Sequence, residues 1–506
     1  MSFFLSLLCL SLLLITLLLM RKKKTEKHVI HLPPSPPNMP VIGNLHQIGA
    51  VPHRSLWRLS KKYGPVIMLK LGKVPTVIIS SAEAAKEVLK VHDLECCGRP
   101  SLAGPGKLSY NYLDMAFAPY GDYWRAIRKV CAIELFSAKR VQSFRSTREE
   151  EVTSMIDSIS KSSLAATPID LSKMLFNHSA SITCRASFGK GFQGSEMDGA
   201  EFQDLIHEAF AMLGSFSAVD FFPYVGWIVD RLTGLHDRLE KIFYKFDIFY
   251  QKVIDDHLKV RRREKQMEDI IDILLNLKID QAGSDDAVPI THNHIKAILM
   301  NIFLGGVDTT ALSVEWAMAE LVRNPRVMAK AQQEIRSRIG DKQKVDEEDI
   351  EQLNYLKMVV KETLRLHPPA TLLLPRETLS AVKINGYDIP EKSRIQINVW
   401  AIGRDPDLWE SPEEFMPERF EDSPIDFKGR HFELLPFGAG RRGCPGLALG
   451  VTMIESTLAN LLHCFDWKYP PGVEDIDMDE VAGLSVHKKT ALVLVPTSRD
   501  ACSKGE

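Results

Sequence analysis

Cys444 stands in Pro436-Phe437-Gly438-Ala439-Gly440-Arg441-Arg442-Gly443-Cys444-Pro445-Gly446, a single thiol framed by glycines, two arginines and two prolines. Residues of these types at this spacing can hold a large, flat, anionic group, and haem is such a group. A thiolate is an axial ligand that pushes electron density onto haem iron and favours O–O cleavage. The glycines remove Cβ atoms where backbone must lie against a porphyrin, and Arg442 offers a charge-assisted bond to a propionate. Pro445 is expected at the first position of a helix through the apolar run Leu447 to Cys464, where its missing N–H costs nothing. Free amides of that first turn would favour thiolate over thiol. Gly438, Gly440 and Gly443 also satisfy Gly-x-Gly-x-x-Gly, a dinucleotide fingerprint that needs a buried strand before it and an acid closing a second strand about twenty residues on. The stretch Ile425 to Glu433 before it is charged and irregular, and Glu455 lies inside the following apolar run. The dinucleotide site and a buried structural cysteine are therefore the weaker alternatives.

A second constellation lies within Ile295 to Val322, where nothing stops a helix until Asn324-Pro325 and the first half is apolar almost all round. Such a helix must run through the interior. At its centre, Gly305-Gly306-Val307-Asp308-Thr309-Thr310 places two helix-weakening glycines and a carboxylate beside hydroxyls. Local violations of this kind mark functional sites. The glycines thin the helix for a flat cofactor, and a hydroxyl can bend the backbone by bonding to a preceding carbonyl.

The run Phe437-x-x-Gly440-x-Arg442-x-Cys444-x-Gly446 resembles the haem-binding loop of the cytochrome P450 family at every fixed position, and other motifs extend the resemblance from about Pro33 to the end of the chain. The resemblance implies haem b bound through the Cys444 thiolate, the metal ligand, with Phe437, Arg442 and Gly446 in the cofactor loop. It assigns to Asp308 and Thr309 the acid and threonine that relay protons during oxygen activation. Glu362-Thr363-Leu364-Arg365, which alone would be a surface ion pair, resembles with Pro417-Glu418-Arg419-Phe420 the family's buried Glu–Arg–Arg network. Glu362, Arg365 and Arg419 would then be structural, and loss of one would prevent haem incorporation. Trp124 and Arg128, four apart on a helix, match the family's propionate-binding pair, and Arg376 is expected to join Arg128 and Arg442 there.

The elements needed to position these groups are mostly helical. Helical spacing runs through Phe202 to Leu213, Leu235 to Lys265, His294 to Arg323 and Leu353 to His367. Strands are sparse: Val66 to Leu71 and Thr76 to Ile79 read as a hairpin around Gly72-Lys73, and Asn385-Gly386 is a two-residue hairpin turn. Ser80 with Glu83 reads as a capping box. The expected fold is mainly α with small β-sheets, the cytochrome P450 fold, preceded by one transmembrane anchor helix. Phe3 to Met20 is uncharged and leucine-rich, and Arg21-Lys22-Lys23-Lys24 follows it. By the positive-inside rule the amino terminus faces the lumen and the catalytic domain the cytosol, in the endoplasmic reticulum membrane. A cleaved signal would carry its charge first. The sequon Asn177-His178-Ser179 would go unused in a cytosolic domain. The reading divides the chain into an anchor (1–20), a basic and proline-rich linker (21–40) and a haem-thiolate domain (41–506), the prolines forming a stiff spacer.

A net charge of −2 with acids and bases evenly mixed excludes a nucleic-acid footprint. The eight cysteines lack C-x-x-C spacing, which suits a reducing compartment and argues against zinc. The resemblance points to pocket wall in Leu102 to Phe117, Phe210 to Phe216, the helix near Phe303, Ala370 to Leu374 and Gly483 to Val486, with Leu108, Phe303, Leu372 and Leu484 as the named candidates. Such a wall suits a lipophilic small molecule, and the chain is similar to plant members that make terpenoids, alkaloids or phenolics. With no flavin or nicotinamide domain in the sequence, electrons from NADPH are expected through a separate NADPH–cytochrome P450 reductase, with cytochrome b5 a second donor. Arg441, Lys139 and Arg140 are candidates to meet an acidic donor surface. The leading function is a monooxygenase. Net desaturation or ring formation is the alternative within the class, and a haem sensor or a nicotinamide dehydrogenase the alternatives outside it.

Overall fold

The computed structural model describes residues 31–189, 199–214, 217–260, 268–280 and 290–499. The expected anchor at 3–20 and the basic residues 21–24 lie outside these, as does Phe216. The remainder is mainly helical with four small sheets. The largest sheet takes Val66–Leu71, Val74–Ile79, Arg394–Ile397 and Arg376–Glu377 in that spatial order, with only its middle pair parallel. Both expected hairpins form. Asn385 and Gly386 have φ of 49° and 78°, the left-handed pair that a two-residue turn matched to strand twist demands.

Two sequence expectations shift by a residue or more. The helix Ala82–Lys86 is capped by Ser81, whose side chain accepts from Ala84 N–H, while Ser80 Oγ is buried without a partner. The prolines before residue 40 are no free spacer: Pro34 accepts from Met68 N–H at 2.9 Å, and Asn44 Nδ2 donates to Pro36 and Pro37. Proline lacks a donor but keeps its carbonyl, so the stretch is held against the edge of the large sheet.

The central helix, His292–Arg323, ends where Pro325 begins the next helix. It and Leu447–Cys464 are long and apolar enough to cross a membrane, yet both are largely buried in protein. Ile295, Ala297, Leu299, Phe303, Val307, Ala317 and Leu321 are fully buried, so the helix is apolar on every side because protein surrounds it. Its first half packs with Leu235–Val260, its second half with Leu447–Cys464 and Asn354–Leu366, and Leu171–Phe188 runs against both. The site described next lies between these two apolar clusters.

Candidate active site

The cysteine loop is shaped by its glycines. Gly438 and Gly440 have φ of 64° and 70°, and a Cβ on Gly440 would stand 2.3 Å from the Leu89 carbonyl oxygen. Only glycine fits there. Cys444 N–H donates to Phe437 O at 2.9 Å and Gly443 N–H to Gly440 O at 3.0 Å, folding the loop back on itself. Residues 425–439 form turns rather than a strand, which removes the dinucleotide reading. The helix starts at Leu447 with Gly446 at its N-cap. Pro445 therefore lies just outside the helix and not at its first position. The thiol opens onto a cavity, although protein packed behind it desolvates the sulfur. Burial raises its pKa, against the Gly446 amide and the Arg128 charge, which both lower it. Metal ligation would deprotonate the sulfur.

Guanidinium groups crowd the same cavity. Arg442 donates from Nε to Cys97 O (3.0 Å) and from Nη2 to Ala118 O (2.7 Å), and lies 4.1 Å from the centre of the Trp124 ring. Its Nη1 is buried without a partner. Burial pulls its pKa down to about 10. Arg376 donates to Asp93 and to Ala439 O, both at 3.0 Å. Arg128 donates to Gly443 O at 2.6 Å, bracing the loop one residue before the thiol. Trp124 directs its indole N–H to Met115 O at 2.9 Å, so it serves as a shelf for Arg442 and its own donor is already used.

A fourth arginine escaped the sequence reading. Arg99 lines the cavity and donates to Ala116 O, Leu374 O and Pro375 O at 2.7–2.9 Å. Burial, and then its neighbours Arg442 and Arg376, hold its pKa well below the usual value. The one available signal was an arginine between Gly98 and Pro100 in an otherwise apolar segment. Of the nearby carboxylates, Asp93 is shared by Arg376 and Arg441. Asp114 is pushed up to about 6 by burial, despite the Asn301 amide and backbone N–H groups that stabilise its charge. Positive charge is in excess, and the orphaned Nη1 of Arg442 calls for an anionic acceptor. The donor set fits the two propionates of a haem whose iron takes Cys444.

Across the cavity, Asn301, Leu304, Gly305, Thr309 and Ser313 of the central helix form the wall. Steps of four residues would drift around an α-helix with 3.6 residues per turn. The wider π turn over Leu304–Asp308 absorbs the drift and keeps Gly305, Thr309 and Ser313 in line. Thr309 Oγ1 donates to Gly305 O, the back-bond that such a turn invites. Asp308, only 1% exposed, lies off the cavity, where its Oδ2 accepts from Ser485 Oγ and stands 3.2 Å from His487 Nε2. Thr309 lines the cavity and its neighbour Asp308 does not. Ser485 connects the two sides, since it also lines the cavity. Burial opposes protonation of His487, but the Asp308 charge outweighs it and raises the pKa.

The cavity holds about 250 Å³, and Phe117, Phe210, Leu213, Leu373, Leu374 and Leu484 make much of its wall. Leu484 was expected there; Leu108, Phe303 and Leu372 were expected and are elsewhere. Leu108 ends the helix Ala103–Leu108, which packs on Leu235–Val260. Phe303 stacks on Phe188 at 5.1 Å and meets Phe202 at 5.7 Å, on the far side of the central helix. Leu372 packs into the cluster of Leu56, Ile67 and Leu69, because Leu373 has a φ of 51° and the chain turns there. Phe437 also lines the cavity and packs edge-on against Phe427.

Behind the thiol, Glu362 takes both Nε and Nη2 of Arg365 at 2.7 Å, Nε of Arg419 at 3.0 Å and the Met416 amide at 2.8 Å. Arg365 also donates to the Gly403 and Pro412 carbonyls. Glu362 and Arg365 side chains are wholly buried. The network ties the helix Asn354–Leu366 to the segment that leads toward the cysteine loop.

The comparisons agree with this geometry. The family model for cytochrome P450 matches residues 33–495. The chain is 53% identical over 495 residues to Cytochrome P450 71B36 of Arabidopsis thaliana, covering 97% of this chain and 98% of that protein. It is 55% identical over 478 residues to Cytochrome P450 71B34 of the same plant, covering 94% and 95%. Among solved structures, a zebra fish cytochrome P450 with abiraterone superposes with a TM-score of 0.75 at 25% identity, covering 89% of this chain and all of that one. A thiol in a glycine loop, a ring of arginines and a widened helix facing them are thus explained together: the chain belongs to the cytochrome P450 family of haem-thiolate monooxygenases.

Proposed function

We propose that this chain is a membrane-anchored monooxygenase that inserts one atom of O₂ into a lipophilic plant small molecule, a terpenoid, alkaloid or phenolic, and reduces the other atom to water. The observation that carries this reading is the largely apolar cavity with the Cys444 thiol on one wall and Thr309 on the other. Bound through Cys444, haem supplies the reducible iron at which oxygen is activated. The chain's own residues do the rest. Arg99, Arg376 and Arg442 hold the propionates, with Arg128 bracing the loop. The apolar wall excludes water and sets substrate pose, and Thr309, with Ser485 and Asp308 behind it, supplies protons. Electrons come from NADPH through a separate reductase, with cytochrome b5 a second donor, at the face where Arg441 is exposed beside the loop.

Anchoring by residues 3–20 in the endoplasmic reticulum, with the amino terminus luminal, a linker at 21–40 whose prolines lie against the large sheet and the catalytic domain from 41, completes the proposal. An exposed apolar face supports it. Tyr224, Trp227 and Leu232 project to solvent, as do Val41 and Ile42, and the two segments meet at Gly72-Lys73, where Gly72 N–H donates to Ile42 O and Lys73 N–H to Phe221 O. Surfaces of this kind mark membrane contact.

The test is the carbon monoxide difference spectrum of the dithionite-reduced protein beside Cys444→Ser. A long-wavelength Soret band that the substitution abolishes or moves is expected. Haem with no such band, unchanged by the substitution, would refute thiolate ligation and the proposed reaction with it.

A further inference from the structure

On the side of the central helix away from the haem cavity lies a second cavity of about 400 Å³. Three side chains converge in it from distant parts of the sequence: His207 from the helix Gly199–Leu213, Asp308 from the central helix, and His487 from the short strand His487–Lys488. One ligand atom from each lies within 4.8 Å of the others. His487 Nε2 is 3.2 Å from Asp308 Oδ2. The two imidazoles meet edge to face, with centroids 5.4 Å apart at 78°, so their nitrogens can share a point instead of stacking. Ser485 Oγ donates to the same carboxylate and orients it, as an outer partner does for a metal ligand.

The surroundings favour a cation. Asp170, Asp204 and Glu315 line the cavity with Asp308, against Lys173 and Lys488. Two imidazoles and one carboxylate are a ligand set for zinc and its neighbours, whereas calcium and magnesium take oxygen ligands. Three protein ligands beside an open cavity leave the fourth position to water.

We propose that His207, Asp308 and His487 form a binding site for a divalent transition metal of the zinc class, separate from the haem. No cysteine takes part, so the cysteine spacing that argued against zinc does not bear on it. A metal there would bind the Asp308 carboxylate that Ser485 orients, and would hold Asp308 back from the proton supply proposed above. Binding itself does not depend on the proposed reaction, so its failure would leave that reading standing.

The test is calorimetric titration of the untagged holoenzyme with zinc chloride, beside His207→Gln, His487→Gln and their combination, with the carbon monoxide spectrum confirming that each variant is intact. One zinc equivalent is expected, weakened at least about tenfold by either single substitution, since even outer partners contribute that much. Zinc-edge X-ray absorption on the wild-type protein needs no variant: nitrogen and oxygen neighbours at about 2.0–2.2 Å are expected, and sulfur at about 2.3 Å would overturn the site. Unchanged binding in the double variant would also overturn it, as would loss of the equivalent in His257→Gln, which belongs to the other cluster, His257, Asp269 and Asp272, found among the described residues.

Discussion

Arg442 concentrates the chemistry of the cavity in one side chain. Two of its nitrogens are fixed by the Cys97 and Ala118 carbonyls, its plane is set by Trp124, and the remaining Nη1 has no acceptor among the described residues. A charge-assisted bond contributes roughly 1.5 to 3 kcal/mol. Arg442→Gln should therefore release haem about ten- to a hundredfold faster, as followed by transfer to apomyoglobin, and Arg442→Lys should recover only part of the loss because a point charge cannot copy the fork. Equal release rates in all three proteins would show that the propionates are held elsewhere. At this scale the sequence was most legible where chemistry is contiguous: Cys444, Arg442 and the glycines sit in one run. Arg99 was illegible because its meaning comes from carbonyls at Ala116, Leu374 and Pro375, the last two almost three hundred residues away.

Elements decide which of the expected residues reach the site. Each segment named for the pocket wall contributes residues to the cavity, but which side chains they present follows from backbone features that periodicity does not reveal. The left-handed Leu373 exchanges Leu372 for its two successors, and Leu304 and Gly305 line the cavity where Phe303 was expected, since Phe303 sits two residues, about 200°, around the helix from Asn301. Glu455 shows an element carrying a cost. It lies in Leu447–Cys464, where burial raises its pKa to about 7, opposed by Lys357 and Lys428. In the unfolded chain it ionises near 4.5. A raised carboxyl penalises the folded state increasingly as pH rises from the unfolded to the folded value, and fully above it. Glu455→Gln should thus raise the melting temperature by several degrees at about pH 8 and change it little at about pH 4. A shift of equal size at both values would rule out ionisation as the cause.

The whole molecule presents an apolar face built from Tyr224, Trp227, Leu232, Val41 and Ile42. If that face meets lipid, removing residues 1–30 should leave a protein that still sediments with phospholipid vesicles, and adding Trp227→Glu with Leu232→Glu should release it to the supernatant. Equal sedimentation of both would mean that the face has no part in membrane contact. The arginines of the cavity have a consequence at the same scale for how the molecule matures. Until propionates arrive, Arg99, Arg376 and Arg442 crowd a low-dielectric interior in which Asp93 already serves Arg376 and Asp114 is the other nearby carboxylate. A newly made chain would therefore complete its packing late, when cofactor is delivered, and remain exposed to proteolysis until then. Cellular abundance of this protein would then follow porphyrin and iron supply even at constant synthesis, with electrostatic repulsion acting as the quality-control signal.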